Sequence, residues 1–197
     1  MLIAIEGIDG SGKTTVARFL EEELRKRGYD VVRFKEPTDS KYGRKIRQIL
    51  KERKLSPKEV LELFLKDREI DVEENIVPAL KSGKIVIMDR YYYSTIAYQG
   101  ALGLDVEEIK KLNEKFPKPD LVIVLDVSPE TALKRIKAKR KPDRFEDLNY
   151  LSKVRDIFLS LRDDVVVINA ERELEDVKRE VLKIVFEHLE RFLKGRR

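Results

Sequence analysis

The chain has 197 residues, of which 42% are hydrophobic and 40% are charged, and Lys and Arg outnumber Asp and Glu by 42 to 37. This length and hydrophobic fraction suit one globular domain rather than a disordered chain, and no apolar run approaches the roughly 18 residues of a membrane span. The absence of cysteine excludes disulfides and thiolate metal sites, and the single histidine argues against a histidine-based metal centre.

Apolar runs and helical patterns alternate along the chain. The runs that predict strands lie at residues 2–5, 31–34, 84–89, 121–126 and 165–168. Helices are predicted after residue 13, from within 94–98, and over 41–53, 57–80, 105–115, 129–139, 146–162 and 173–194. Ser56 before Pro57 is a start signal for one of these helices, and Pro78 is expected to kink it. Strands that alternate with helices and are apolar throughout predict a three-layer α/β/α domain over 1–197 with a five-stranded parallel sheet.

The first predicted strand leads into a glycine-rich turn that matches the phosphate-binding pattern G-x-x-x-x-G-K-[ST]. Its residues are Gly7, Ile8, Asp9, Gly10, Ser11, Gly12, Lys13, Thr14 and Thr15. Glycines let backbone N–H groups wrap around an anion, and the helix that follows adds the positive end of its dipole. Lys13 is placed to reach the β- and γ-phosphates, and the Thr14 hydroxyl is placed to hold Mg²⁺. Strand, turn and helix in this order therefore predict a site for a nucleoside triphosphate.

A second polar group, Asp89 and Arg90, follows the third predicted strand, at the end of the sheet where ligands bind. Asp89 is suited to orient Mg²⁺ or its water shell, and the guanidinium of Arg90 is suited to clamp a phosphate monoester. Such a site fits a kinase, a GTP-binding switch, or a nucleotide-binding protein without turnover. A switch would carry an Asn-Lys-x-Asp motif, whereas residues 113–116 read Asn-Glu-Lys-Phe.

Six motifs, in order along nearly the whole chain, resemble those of the thymidylate kinase family. They are GIDGSGKTT at 7–15, EP at 36–37, FxxDR at 64–68, DRYYYSTIAYQG at 89–100, LDVSPETALKRI at 125–136 and DRFED at 143–147. The resemblance implies a P-loop nucleoside monophosphate kinase fold with a short lid, and Mg²⁺-dependent transfer of the γ-phosphoryl group of ATP to dTMP. A kinase for another nucleotide or deoxynucleoside is the nearest alternative, and a GTP-binding switch is the alternative from a different class.

The same resemblance implies roles for individual residues. Residues 7–15 would bind ATP together with Asn169 and Ala170, which resemble the loop that packs on adenine. Phe64 would stack on the thymine ring, Arg68 would lie beside it facing the base or phosphate, and Arg90 would clamp the phosphate of dTMP. The other expected dTMP contacts are Asp9, Glu36, Ser94, Thr95, Tyr98 and Gln99, with Tyr98 placed where a ribose 2′-hydroxyl would not fit. Thr14 and Asp89 would hold the metal, and the expected catalytic residues are Lys13, Arg90, Asp9, Arg144 and Arg140.

One departure from the family concerns the cation that neutralises the transferred phosphoryl group. Some relatives place an arginine in the P-loop beside the aspartate that matches Asp9, where this chain has Gly10. The cation is then expected from a lid over about 136–146, and our order of preference there is Arg144, Arg140 and Lys139. Further candidates are Lys137 in the lid and Arg135 in the helix that enters it.

Composition and resemblance also set expectations about the setting of the protein. The small positive excess fits a phosphorylated ligand, and no basic stripe interleaved with aromatic residues predicts nucleic acid as a partner. Abundant charge with few Asn and Gln suggests a thermophilic source. No basic and then apolar leader precedes the first predicted strand, so we expect a cytoplasmic protein without a membrane partner. The family is commonly homodimeric, and the tyrosine-rich segment after Arg90 is either a surface for a partner or part of the core.

Overall fold

The structure is a computed structural model that describes residues 1–52, 56–141, 146–161 and 165–194. Its strands are β1 (Leu2–Glu6), β2 (Val31–Lys35), β3 (Ile85–Asp89), β4 (Leu121–Asp126) and β5 (Val166–Asn169). They form one parallel sheet in the order β2-β3-β1-β4-β5. The predicted five-stranded parallel sheet is confirmed, and each strand begins and ends within one residue of its expected bounds.

Helices connect these strands and cover the sheet. They are α1 (Lys13–Lys26), α2 (Lys41–Glu52), α3 (Pro57–Asp71), α4 (Val77–Lys81), α5 (Tyr92–Ala101), α6 (Val106–Asn113), α7 (Pro129–Lys137), α8 (Leu148–Ser160) and α9 (Leu174–Lys194). Every residue of β1 and β3 is buried, as are the first five of β4. Because successive strand residues point to opposite faces, both faces of the sheet are covered, which confirms the three-layer α/β/α architecture.

The helix predicted from residue 57 toward Leu80 begins as expected but changes character before Pro78. Ser56 accepts a hydrogen bond from the Glu59 N–H while Glu59 returns one to the Ser56 N–H, so the start is a capping box. After α3 the chain makes a π-helical turn over Val72–Ile76, and Pro78 then lies in the first turn of α4. The irregularity therefore precedes the proline, which occupies a position that needs no backbone donor.

The tyrosine-rich segment after Arg90 forms α5 and belongs to the core of this chain. Tyr91, Tyr92 and Tyr93 are at most 9% exposed, and the rings of the last two stack with centroids 4.7 Å apart. This segment therefore packs within its own chain. None of the helices in the described ranges is both long and apolar enough to cross a membrane.

The carboxyl ends of the strands bring the predicted polar residues to one edge of the sheet. Lys35, the last residue of β2, is in register with Asp89, the last residue of β3. Asp89 is also in register with Ile5 of β1, two residues before the glycine-rich turn. The phosphate loop, the loop after β2 and the Asp89-Arg90 pair therefore meet at one place, as expected for ligand sites of parallel sheets.

Candidate active site

The glycine-rich turn packs tightly against the end of β4 and against α7. Gly7 has a φ of 133°, and a Cβ at this position would lie 2.5 Å from the Leu125 carbonyl oxygen. Gly10 has a φ of 81°, and a Cβ there would lie 2.5 Å from the Ala132 carbonyl oxygen in α7. An arginine at position 10 would thus require α7 to move.

Lys13 and Thr14 open α1 and turn inward. The Lys13 ammonium donates to the Ile8 carbonyl at 2.7 Å, and burial, with the positive charge of Arg90 second, lowers the pKa of Lys13 to about 7. The Thr14 hydroxyl donates to Oδ2 of Asp89 at 2.6 Å. Oδ1 of Asp89 is buried and has no hydrogen-bond partner among the described residues. The P-loop lysine, threonine and strand-terminal aspartate are therefore assembled in one cluster.

A cavity of about 550 Å³, which we call the donor cavity, opens over this cluster. On one side it is lined by the loop and the start of α1, namely Asp9, Gly10, Ser11, Gly12, Lys13, Thr14, Thr15 and Val16. On the other side it is lined by residues of α7, the lid and the segment after β5, including Arg135, Lys139, Arg140, Ala170 and Arg172. Backbone N–H groups at the start of a helix, facing a basic wall, suit a polyphosphate.

Three of the expected ATP-binding residues shape this cavity without lining it. Gly7 and Ile8 form the floor of the turn, and the Ile8 carbonyl accepts from Lys13. The Asn169 side chain accepts from the Glu171 N–H at 2.9 Å, which orders the segment after β5. Its neighbour Ala170 lines the cavity, and the Ala170 carbonyl accepts from Arg135 at 2.9 Å.

A second cavity of about 650 Å³, the acceptor cavity, lies beside the first. All the residues expected to contact dTMP line it: Asp9, Glu36, Phe64, Arg68, Arg90, Ser94, Thr95, Tyr98 and Gln99. Phe64 is half-buried, which leaves its ring in contact with the cavity. Gln99 is 2% exposed, and its Oε1 has no partner among the described residues, so a carbonyl oxygen is available to a ligand donor. Residues far apart in the sequence thus form one pocket of nucleotide size.

Asp9 and Arg90 line both cavities, and Tyr98 lines the acceptor cavity beside them. Arg90 is ion-paired with Asp9, and the Tyr98 hydroxyl donates to Asp9 Oδ2 at 3.0 Å and accepts from the Asp9 N–H at 2.9 Å. Although burial opposes it, the charges of Arg90 and Lys13 lower the pKa of Asp9, and the Asp9 carboxylate raises that of Arg90. Both groups are therefore charged at neutral pH, and the guanidinium is held at the mouth of the acceptor cavity.

Arg68 is more deeply buried than a simple contact to base or phosphate requires. It is 1% exposed and pairs with both carboxylate oxygens of Glu36. It also donates to Asn113 Oδ1 at 2.7 Å and to the Thr95 hydroxyl at 3.0 Å. Burial raises the pKa of Glu36 to about 7, against the opposing attraction of Arg68. The pair forms part of the wall of the acceptor cavity, and Arg68 presents a guanidinium already fixed by three neighbours.

Sequence reasoning missed Glu6, which anchors the Arg90 segment. Glu6 is fully buried at the end of β1 and accepts from the Tyr91 N–H at 2.8 Å, the Ser94 N–H at 3.3 Å and the Ser94 hydroxyl at 2.5 Å. Ser94 in turn accepts from Arg90 at 3.1 Å. A glutamate inside an apolar strand was a detectable signal, since buried carboxylates require partners.

The loop after β2 is held by two further residues that the sequence did not single out as functional. Asp67 accepts from the Thr38 N–H at 2.8 Å, the Thr38 hydroxyl at 2.6 Å and the Ser40 hydroxyl at 2.5 Å. Arg47 of α2 donates to the carbonyls of residues 37 and 38 at 2.9 and 2.7 Å. Arg47 also lines the acceptor cavity, as do Lys35 and Tyr150. These roles depend on contacts between distant segments, for which the sequence carries no local pattern.

The lid is described in part. Arg140 is ion-paired with Glu146, which is 4% exposed, and Arg140 lines both cavities. Lys139 lines the donor cavity, and Lys137 is exposed at the end of α7. Arg144, the preferred lid cation, lies outside the described residues. Among the preferred lid cations that the structure describes, Arg140 lines both cavities and Lys139 lines the donor cavity.

The chain is similar to known proteins over nearly its whole length. The family model described as thymidylate kinase matches residues 5–181. The chain is similar to the probable thymidylate kinase of Archaeoglobus fulgidus, with 57% identity over 94% of each chain. It is also similar to the thymidylate kinase of Desulfotalea psychrophila, with 45% identity over 92% of each chain. The thymidylate kinase of Xylella fastidiosa is 44% identical over 96% of this chain and 92% of the relative.

Proposed function

Because the chain belongs to the thymidylate kinase family, we propose that it transfers the γ-phosphoryl group of ATP to dTMP, giving ADP and dTDP. The observation that carries this proposal is the junction of the two cavities. Among the described residues, both are lined by Asp9, Lys35, Arg90 and Arg140. A triphosphate on the P-loop and a monophosphate at Arg90 would therefore meet end to end, which is the arrangement that an in-line transfer needs.

In this proposal a phosphate oxygen of dTMP attacks the γ-phosphorus of ATP, and the bond to the β,γ-bridging oxygen breaks. The dianionic phosphate is already a nucleophile, so the reaction needs no general base. Arg90 would hold the attacking phosphate, and Lys13 would neutralise charge on the β- and γ-phosphates. The buried neighbourhood of these cations strengthens their effect, because charges interact more strongly away from water.

The acceptor cavity also supports recognition of a deoxynucleotide. Phe64 offers a ring for stacking on the base, and Gln99 and Arg68 offer polar groups at the buried end. Tyr98 is fixed by two hydrogen bonds to Asp9, so its ring would form a rigid wall on the sugar side. A fixed wall would exclude a ribose 2′-hydroxyl more effectively than a mobile side chain would.

The residues at the P-loop suit a bound Mg²⁺, which stays a proposal. Thr14 and Asp89 would hold it, since magnesium takes oxygen ligands and Oδ1 of Asp89 is a buried oxygen without a partner among the described residues. When bound with ATP it would neutralise charge on the β- and γ-phosphates. No cluster of three His, Cys, Asp or Glu side chains suited to a metal exists in the described ranges, so ATP itself would supply further ligands.

The proposal is tested by coupled measurement of ADP release with dTMP, dUMP, ribothymidine monophosphate, dCMP, AMP, GMP and thymidine as acceptors. The highest kcat/KM is expected for dTMP, with dUMP lower by about ten- to two-hundredfold because it lacks one methyl group. Equal use of all acceptors would rule out a dTMP kinase. Hydrolysis of GTP without any acceptor would instead favour a GTP-binding switch.

Three further expectations remain proposals. We propose a homodimer on the basis of the family resemblance, to be tested by light scattering against the 23.1 kDa chain mass. We propose a thermophilic source from the 40% charged composition, which thermal unfolding tests. We also propose a cytoplasmic location, and fractionation of the source cells tests it.

A further inference from the structure

Lys35 occupies a position in the site that neither its sequence context nor the family match assigns. It is the last residue of β2, and it lines both the donor and the acceptor cavity. Its backbone is fixed by register pairing with Asp89 on β3. This residue of the junction is therefore carried by a strand and not by the lid.

The ammonium group of Lys35 lies near the P-loop cluster but is too far from Asp89 for a hydrogen bond. Its Nζ is 3.8 Å from Asp89 Oδ2, beyond the 2.7–3.2 Å of an N–H···O hydrogen bond, and that oxygen already accepts from Thr14 at 2.6 Å. The Lys35 side chain is 54% exposed, so a ligand can reach it. By contrast, the guanidinium of Arg90 is engaged by Asp9 and Ser94.

The negative charge of the phosphoryl group that passes through the junction requires a cation there. In-line transfer concentrates negative charge on the migrating phosphoryl group, and each well-placed cation stabilises that charge in the transition state. Gly10 cannot carry an arginine side chain without displacing α7, because a Cβ there would already lie 2.5 Å from the Ala132 oxygen. The P-loop therefore contributes Lys13 but no second cation at the junction.

We propose that Lys35 is a further catalytic residue, which contacts the phosphoryl group in transit between ATP and dTMP. This inference rests on the proposed function. As the dTMP oxygen forms its bond to the γ-phosphorus, the electron pair of the breaking bond remains on the bridging oxygen of ADP. Lys35 donates to the equatorial oxygens of the phosphoryl group during this exchange. Lys35 neither gains nor loses a proton during the transfer. It is still an ammonium ion when the product dTDP leaves the site.

The test compares Lys35→Gln, Lys35→Arg and the control Lys84→Gln. Lys84 lies just before β3 at the opposite end of the sheet and pairs with Asp30 at 2.7 Å, so its loss removes a similar charge far from the junction. Lys35→Gln is expected to lower kcat by about ten- to a hundredfold with KM values for ATP and dTMP changed less than about threefold. Lys35→Arg is expected to retain most of the activity, because the positive charge remains, and Lys84→Gln is expected to match the parent.

Calorimetric binding supplies a second readout that does not depend on turnover. The probe is a bisubstrate analogue in which adenosine and thymidine are joined by five phosphates, titrated with Mg²⁺ and again in EDTA. Lys35→Gln is expected to raise the Kd of the analogue by about tenfold or more in both conditions, while the Kd values of ADP and dTMP alone stay nearly unchanged.

Three results for Lys35→Gln would overturn the proposal. They are a kcat within twofold of the parent, loss of affinity for the analogue only with Mg²⁺, and a loss of affinity for ADP equal to that for the analogue. Loss of analogue affinity only with Mg²⁺ would mean that Lys35 acts through Asp89 and the metal. An equal loss of ADP affinity would mean that Lys35 acts through the fold. A parent protein that does not phosphorylate dTMP would instead refute the proposed function, whatever Lys35 does.

Discussion

Asp71 offers the sharpest test of how a buried carboxyl group affects the stability of this fold. It is the last residue of α3, is 2% exposed, and accepts a hydrogen bond from Asn75 through Oδ1 at 2.8 Å. Its Oδ2 is buried without a partner among the described residues. Burial raises the pKa of Asp71 from 3.8 to about 6. A carboxylate in this environment destabilises the fold whenever it is ionised.

The magnitude follows from the linkage between protonation and folding. Between about pH 4 and pH 6 the folded state binds more protons than the unfolded state, so stability falls as pH rises through this window. A difference of about two pKa units corresponds to at most about 3 kcal/mol, which is the penalty of the charged form above pH 6. Asp71→Asn removes this penalty, although its amide introduces a donor without an acceptor, at a cost of about 1–3 kcal/mol.

The assay is urea unfolding of parent and variant at pH 4 and pH 8. The effect of Asp71→Asn on the free energy of unfolding is expected to be more favourable at pH 8 than at pH 4 by about 2–3 kcal/mol. The matched control is Asp67→Asn, one helical turn earlier, because Asp67 accepts three hydrogen bonds from residues 38 and 40. At pH 8 this control should destabilise by about 2–3 kcal/mol. An Asp71→Asn effect that is the same at both pH values would refute the reasoning.

Two further predictions concern the P-loop and the acceptor arginine. Gly10→Ala is expected to lower the free energy of unfolding, measured with urea, by at least about 2 kcal/mol more than Gly28→Ala does. Both glycines have positive φ, but only Gly10 faces a backbone oxygen, at 2.5 Å from an added Cβ. Equal effects of the two substitutions would contradict the contact with Ala132. Arg90→Ala is expected to raise the KM for dTMP by about a hundredfold, the value of a charged hydrogen bond, with the Kd for ATP changed little. An equal loss of ATP affinity in calorimetry would contradict its place on the acceptor side.

The features that the sequence predicted are those encoded by local patterns. The strands are short apolar runs, and the P-loop combines its chemistry and its flanking elements within residues 2–24. The capping box at Ser56 and Glu59 is likewise a four-residue signal. In contrast, the π-helical turn over Val72–Ile76 has no such signature, and Pro78 drew attention to a position several residues later.

Arg68 illustrates why the site could be predicted only in part. The family resemblance, and not its spacing of four from Phe64, placed Arg68 beside the base, and both residues line the acceptor cavity. The spacing by itself indicates only that the two residues share a helix face. That spacing carries no information about Glu36, 32 residues earlier, or Asn113, 45 residues later, which together bury the guanidinium. The depth of Arg68 is a property of packing between distant segments, as is the place of Lys35 at the cavity junction.

The backbone at Arg90 explains why a buried glutamate belongs at the end of the P-loop strand. Arg90 has a φ of 73°, a left-handed conformation that costs a residue with a side chain about 1–3 kcal/mol and that glycine would adopt freely. Glycine would remove the guanidinium, so the strain has to be offset elsewhere. Glu6 offsets it with hydrogen bonds that its buried carboxyl group makes to the backbone N–H groups of residues 91 and 94 and to the Ser94 hydroxyl. Since β1 carries Glu6 at one residue and the phosphate loop at the next, the same strand end positions the donor loop and the acceptor arginine.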